Sequence, residues 1–105
     1  MIGRAIKSWD SDKTVAVAAS GGLSHFVINE EFDHRIINAL ETGDHEALTS
    51  EPENLLQSGT SETKNWIVTA GIIAETDLNF NLLDYVACYR TDAGTGNAMA
   101  FSTWT

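Results

Sequence analysis

The segment Val15-Ala-Val-Ala-Ala-Ser-Gly-Gly-Leu-Ser-His25 runs from an apolar stretch through two glycines to a histidine. An apolar run without alternation, preceded by the turn residues Ser11-Asp-Lys13, is typical of a strand buried on both faces of a parallel or mixed sheet. Glycines directly after a strand allow a sharp bend and a close approach of the backbone to a ligand. The segment therefore predicts an α/β fold with His25 on a loop at a strand end, where such proteins usually keep their chemistry.

Helices are predicted on both sides of this strand in the sequence. Asn29 is a favourable N-cap, and the apolar residues that follow it recur at helical spacing as far as Gly43. Two runs of β-forming residues flank a glycine-containing loop near the C-terminus and predict a hairpin. The whole pattern predicts part of a mixed-sheet α/β domain with flanking helices. The predicted helices cover residues 1–9, 29–43, 44–48, 52–57 and 61–74, and the predicted hairpin strands cover 80–89 and 97–104.

Composition limits the classes of function. With 105 residues the chain is one domain, or one piece of a domain. Its formal charge of −9 would repel phosphate groups, so neither nucleic acid nor an anionic membrane is an expected partner. A single cysteine, Cys88, cannot form an internal disulfide, and we expect it to be a small buried residue of a strand. There is no apolar run of about 18 residues and no signal sequence, so the expected location is the cytoplasm.

Two side chains are candidates for chemistry. His25, on a glycine-containing loop, has the residue type of a general base; the alternative is a histidine that is only hydrogen-bonded within a tight loop. Glu62 lies at the start of a predicted helix, where the helix dipole alone would favour a carboxylate. The apolar helix that follows Glu62 suggests that its carboxylate is partly buried. A buried carboxylate needs a cation, a metal or hydrogen-bond donors. His34 and His45 are predicted to be surface residues, and no nucleotide-binding glycine motif is present.

Several segments, taken in order, resemble the C-terminal part of class III extradiol ring-cleavage dioxygenases. The likeness covers nearly the whole chain and is strongest to the catalytic subunit of the protocatechuate 4,5-dioxygenase type. The segments are SGGLSH at 20–25, VINEEFD at 27–33, SGTSE at 58–62 ahead of Trp66, YR at 89–90, and AGTG at 93–96 ahead of MAF at 99–101.

These enzymes open catechol-type rings beside the two hydroxyls, using O₂ and a non-haem Fe(II) held by two histidines and one carboxylate. The resemblance implies that Glu62 is the metal carboxylate and that His25 acts as acid/base near bound O₂. Gly21, Gly22 and Ser24 would form the supporting loop. The resemblance further implies that His25 and Glu62 face one cleft at the same end of the sheet, within about 10 Å of each other, because catalytic groups flank one reacting centre.

The two iron-binding histidines of the family come from its N-terminal part, and neither His34 nor His45 matches them. The resemblance therefore implies an incomplete Fe(II) site and no ring cleavage without a missing N-terminal half or a companion subunit. A truncated gene, a fragment and a true subunit all remain open. The alternative function is a non-catalytic remnant that binds a partner chain or a small phenolic ligand.

Assembly is expected from the predicted strand at residues 14–19, which has few strands available to cover it. We predict a homo-oligomer, or association with the missing half, that covers this part of the sheet.

Overall fold

Four α-helices and one antiparallel hairpin form the regular structure of the chain, which a computed structural model describes from residue 1 to residue 105. Short 3-10 turns over Glu53–Leu55 and Ser58–Glu62 lead into the last helix. This arrangement of helices and a sheet confirms the predicted α/β fold class. The elements are α1 Ile2–Ser8, α2 Glu30–Thr42, α3 His45–Ser50, α4 Thr63–Ile73, β1 Phe80–Tyr89 and β2 Gly96–Trp104.

Helix α2 forms the centre of the core and has the ends that the sequence predicts. The Asn29 side chain caps its start by accepting a hydrogen bond from the Phe32 amide at 3.0 Å. Gly43 ends it in the left-handed conformation, with φ 66°. The apolar face of the helix is buried against the hairpin and α3. Its buried apolar residues are Phe32, Ile36, Ile37, Ala39 and Leu40.

The hairpin pairs β1 with β2 in antiparallel register, from Phe80 opposite Trp104 to Tyr89 opposite Gly96. Beside it runs the loop that contains the candidate histidine. The Leu23 amide donates to the Ala98 carbonyl at 2.9 Å, and the Ala98 amide donates to the Ser24 carbonyl at 3.0 Å. Because Leu23, Ser24 and Ala98 are all buried, this pairing fixes the loop against β2.

The prediction of a buried strand at residues 14–19 is wrong. These residues form no regular secondary structure, and Val15 is 44% exposed. None of their backbone groups takes part in a backbone hydrogen bond. The physical reason is that an extended segment becomes a strand only when it exchanges hydrogen bonds with another strand, and residues 14–19 pair with neither β1 nor β2 of the two-stranded sheet. The segment instead borders an apolar groove of about 1030 Å³.

Two smaller predictions also need correction. Cys88 is exposed, because side chains alternate along β1 and the neighbouring Ala87 takes the core-facing side. Helix α4 begins at Thr63 instead of residue 61, since a 3-10 turn occupies Ser58–Glu62 and leaves Glu62 at the N-cap. The longest helix, α2, has 13 residues, and none of the helices combines the length and apolarity needed to cross a membrane.

Candidate active site

His25 and Glu62 lie side by side. The Nε2 atom of His25 is 3.4 Å from Oε2 of Glu62, well inside the separation that the sequence analysis expected. The histidine side chain is mostly buried, at 15% exposure, whereas the glutamate is 46% exposed. The pair therefore consists of a mostly buried imidazole and a half-exposed carboxylate.

The hydrogen bond at the other ring nitrogen defines how the pair can interact. Nδ1 of His25 lies 3.1 Å from the Leu23 carbonyl oxygen, which can only accept, so Nδ1 must carry a proton. In the neutral ring Nε2 is then an unprotonated acceptor that faces the Glu62 carboxylate. Two acceptors at 3.4 Å attract each other only when a proton on Nε2, a cation or a bridging donor lies between them. The geometry thus suits a proton-transfer group or a cation site.

The backbone of His25 is held by one side chain. Thr60 Oγ1 accepts a hydrogen bond from the His25 amide at 3.1 Å and donates one to the His25 carbonyl at 2.9 Å. Thr60 belongs to the 3-10 turn that ends at Glu62. The same short turn therefore positions both members of the pair.

Two glycines make this approach possible. Gly21 has φ 103°, and a Cβ added there would lie 2.7 Å from the Glu62 carboxyl carbon. A Cβ at Gly59 would lie 2.4 Å from Cδ2 of His25. Both distances are shorter than real Cβ contacts, so a side chain at either position would displace a member of the pair. The Gly22 amide also donates to Glu62 Oε2, at 3.3 Å.

The start of α4 holds the other side of the glycine loop. Asn65 Nδ2 donates to the Ser20 carbonyl at 2.7 Å, and Trp66 Nε1 donates to the Gly21 carbonyl at 3.1 Å. Together with the Gly22–Glu62 contact, these bonds connect three successive loop residues to the turn and helix at residues 62–66. The sequence pointed to the loop and the helix separately but not to these donors, because none of these bonds is local in sequence.

Behind the loop, Ser24 is hydrogen-bonded to the buried carboxylate of Asp33. Asp33 has no exposed surface and accepts hydrogen bonds at both oxygens. The Ser24 amide donates to Oδ1 at 2.8 Å, while the Ser24 hydroxyl and the Tyr85 hydroxyl donate to Oδ2 at 2.7 and 2.6 Å. Sequence reasoning missed this residue. The position of Asp33 in the sequence could have indicated that it is buried. It precedes Ile36 and Ile37 at helical spacing and so falls on the apolar face of α2.

Both tyrosines are hydrogen-bonded to acidic residues. Burial, followed by the hydrogen bond to Asp33, raises the pKa of the Tyr85 phenol. The hydrogen bond to Glu30, at 2.6 Å, raises the pKa of Tyr89. Each phenol therefore stays protonated to higher pH in the folded chain than in the unfolded chain.

The tyrosine contacts predict loss of stability at alkaline pH. Because the folded chain binds the phenolic protons more tightly, this contribution is complete below the ordinary tyrosine pKa of about 10 and is lost as pH rises through the folded values. We expect tyrosinate absorbance at 295 nm to appear together with loss of the circular dichroism of the fold. In Tyr89→Phe only the Tyr85 phenol remains, and its ionisation should still coincide with unfolding. Half-ionisation at pH about 10 in a chain that keeps its native spectrum would contradict the prediction.

The other two histidines lie apart from the pair, as expected for surface residues. His34 is exposed on α2, where Nδ1 donates to the Glu30 carbonyl at 3.1 Å and the ring meets Tyr85 edge to face. His45 is exposed at the first position of α3. No group of three or more histidine, cysteine, aspartate or glutamate side chains has the geometry of a metal site. The chain therefore assembles one histidine and one carboxylate, and not a complete ligand set.

Fold and site together define a small α/β protein segment that brings a histidine and a carboxylate together between glycine loops. The family model described as the catalytic LigB subunit of aromatic ring-opening dioxygenase matches residues 1–96, and the chain belongs to this family. No curated protein and no solved structure matches the chain. The membership confirms the resemblance at the level of aromatic ring-opening dioxygenases.

Proposed function

We propose that the chain contributes part of the active site of an extradiol dioxygenase of the protocatechuate 4,5-dioxygenase type. In this proposal Glu62 is a ligand of a non-haem Fe(II) and His25 is the acid/base residue. One observation carries it: in a chain of the ring-opening family, His25 Nε2 lies 3.4 Å from Glu62 Oε2. The substrate would be a catechol-type aromatic diol.

The residues present fit only part of an Fe(II) site. A facial triad takes two histidines and one carboxylate, and only Glu62 has a matching role here. His34 and His45 are exposed on α2 and α3, and neither forms a group of metal-binding geometry with Glu62. We therefore propose that two histidine ligands come from protein outside residues 1–105. The chain together with that protein is called the assembled dioxygenase below.

His25 would move a proton at Nε2. Its Nδ1–H is engaged by the Leu23 carbonyl and its backbone by Thr60, so the ring presents Nε2 in a fixed direction. A positioned imidazole can remove a proton from a substrate hydroxyl and return it later in the reaction. Iron, when bound, would supply the chemistry of O₂ and the orientation of the diol.

The assembled dioxygenase also needs an interface, and residues 14–19 are our candidate for one. Their backbone donors and acceptors have no protein partners, and they lead directly into Gly21 and Gly22 of the site. A strand from the protein that carries the two histidines would satisfy these groups and fill the adjacent apolar groove. A homo-oligomer formed through the same segment remains a prediction.

The rival proposal is a non-catalytic chain that binds a partner or a small phenol. It is favoured by the incomplete ligand set within residues 1–105. Uptake of O₂ separates the two proposals. With a panel of catechol, protocatechuate and gallate, we expect no uptake by the Fe(II)-treated chain alone and substrate-dependent uptake after co-expression with the polypeptide encoded next to it. Saturable binding of a catechol without uptake in either preparation would favour the rival.

His25→Gln tests the acid/base assignment. General acid/base catalysis contributes about 10²- to 10⁴-fold, so the rate of ring opening by the assembled dioxygenase should fall by that factor while iron content is retained. His34→Gln and His45→Gln are matched controls, because both residues are exposed and neither pairs with Glu62, and they should keep near-normal rates. Equal losses in all three variants would contradict a specific role for His25.

A further inference from the structure

The strongest unassigned feature is the buried carboxylate of Asp33 behind the histidine loop. The residue has no exposed surface, yet no cation contacts it. Three donors satisfy it instead: the amide and hydroxyl of Ser24 and the hydroxyl of Tyr85, all within 2.8 Å. Burying a carboxylate without a cation is costly unless several good hydrogen bonds compensate. A buried carboxylate that depends on hydrogen bonds in this way requires its hydrogen-bond donors to keep a defined geometry.

Two of the three donors to Asp33 come from the loop that carries His25. Ser24 precedes His25 directly, and both its amide and its hydroxyl are directed at the carboxylate. The Ser24 hydroxyl also accepts a hydrogen bond from the Asn29 amide at 2.7 Å, just ahead of α2. Asp33 itself lies on α2, and Tyr85 lies on β1. The carboxylate thus connects the loop, the helix and the sheet at the residue next to the candidate catalytic histidine.

We propose that Asp33, acting through Ser24, is a positioning residue for His25. By fixing Ser24, Asp33 sets the backbone conformation from which the His25 side chain extends. In that conformation the His25 Nδ1–H is hydrogen-bonded to the Leu23 carbonyl. That in turn holds Nε2 opposite Glu62. Tyr85 supports the same carboxylate oxygen as the Ser24 hydroxyl and so limits its rotation. The catalytic meaning of this positioning rests on the proposed function, whereas the positioning itself does not.

Nuclear magnetic resonance of the full 105-residue chain tests the inference without any activity. The hydrogen-bonded Nδ1–H of His25 should give a slowly exchanging ring resonance, assigned by its absence in His25→Gln. Asp33→Asn replaces one accepting oxygen by an NH₂ group, which cannot accept, so the side chain can no longer accept at both positions from Ser24 and Tyr85. We expect this variant to lose the resonance, or to show it strongly broadened by exchange. Tyr85→Phe removes one donor and should broaden it less.

Asp44→Ala is the matched control for general destabilisation. Asp44 caps α3 by accepting from the Ala47 amide at 3.0 Å, and it forms no hydrogen bond with the histidine loop. This variant should keep the His25 resonance even though its helix cap is lost. Retention of the resonance in folded Asp33→Asn would overturn the inference. If Asp33→Asn does not fold, Tyr85→Phe decides: an unchanged His25 resonance together with a shifted Ser24 amide would overturn it.

The outcomes also separate this inference from the proposed function. Absence of the Nδ1–H resonance from the unmodified chain would contradict the histidine geometry on which both the inference and the proposed function depend. Its presence in the unmodified chain and in Asp33→Asn would remove only the role of Asp33. In the assembled dioxygenase we expect Asp33→Asn to lower kcat by about 10- to 100-fold, the range for residues that orient active-site ligands, with little change in KM.

Discussion

Replacing Glu62 by glutamine is expected to abolish ring opening by the assembled dioxygenase and to weaken its iron binding by more than about 100-fold. Loss of a residue that only orients a ligand costs about 10- to 100-fold in metal affinity, and loss of the charged ligand itself should cost more. Glutamine can still accept the hydrogen bond from the Gly22 amide, so the loop should keep its conformation. Iron content by metal analysis and O₂ uptake with a catechol are the measurements.

Glu53→Gln is the control for the Glu62 experiment. Glu53 is an exposed carboxylate that pairs with Lys64 at 2.6 Å, and exposed pairs of this kind contribute only about 0–1 kcal/mol to stability. The variant removes the same charge from the chain without touching the candidate site, so iron binding and uptake should persist. Normal iron content in Glu62→Gln would exclude Glu62 as a metal ligand.

Gly59→Ala is expected to separate His25 from Glu62. The added Cβ would lie 2.4 Å from Cδ2 and 2.8 Å from Nε2 of His25, so the ring must move. Overpacking of this kind costs about 1–3 kcal/mol in the free energy of unfolding. A displacement of about 1 Å at a reacting group lowers the rate by about 100-fold. Denaturant unfolding of the chain and O₂ uptake by the assembled dioxygenase measure the two effects.

Gly71→Ala is the control for Gly59→Ala, because it makes the same substitution at a glycine where an added methyl group should stabilise the fold. Gly71 lies inside α4, is exposed, and has open space around an added Cβ. Because alanine favours a helix over glycine by about 0.5–1 kcal/mol, this variant should be more stable and should keep its rate. If Gly59→Ala were as stable and as active as Gly71→Ala, the proposed packing of the histidine against Gly59 would be wrong.

Local features of the fold could be predicted because the interactions that define them lie within a few residues. Asn29 caps a helix by bonding the Phe32 amide, and Gly43 ends that helix by adopting a left-handed conformation. The hairpin follows from two β-forming runs on either side of a short glycine-containing loop. The residue types at His25 and Glu62 likewise indicated possible chemistry, and the family membership agrees with the resemblance of the segments around them.

The tertiary structure decided the features that depend on distant partners. Apolar residues at 14–19 have the composition of a buried strand, but a strand also needs a neighbour with which it exchanges hydrogen bonds, and the fold does not bring these residues alongside β1 or β2. The sequence analysis made no prediction for Asp33, whose hydrogen bonds to Ser24 and Tyr85 exist only because the fold brings those distant residues to its oxygens.

The sequence by itself determined both ends of α2 and the hairpin, and it indicated two candidate side chains for chemistry. Only the tertiary structure decided that Gly59 contacts His25, that Thr60 holds its backbone and that a buried carboxylate lies behind the loop. The physical reason is range. Capping and turn preferences act between neighbours along the chain, whereas close packing and the satisfaction of buried polar groups depend on which segments the fold places together.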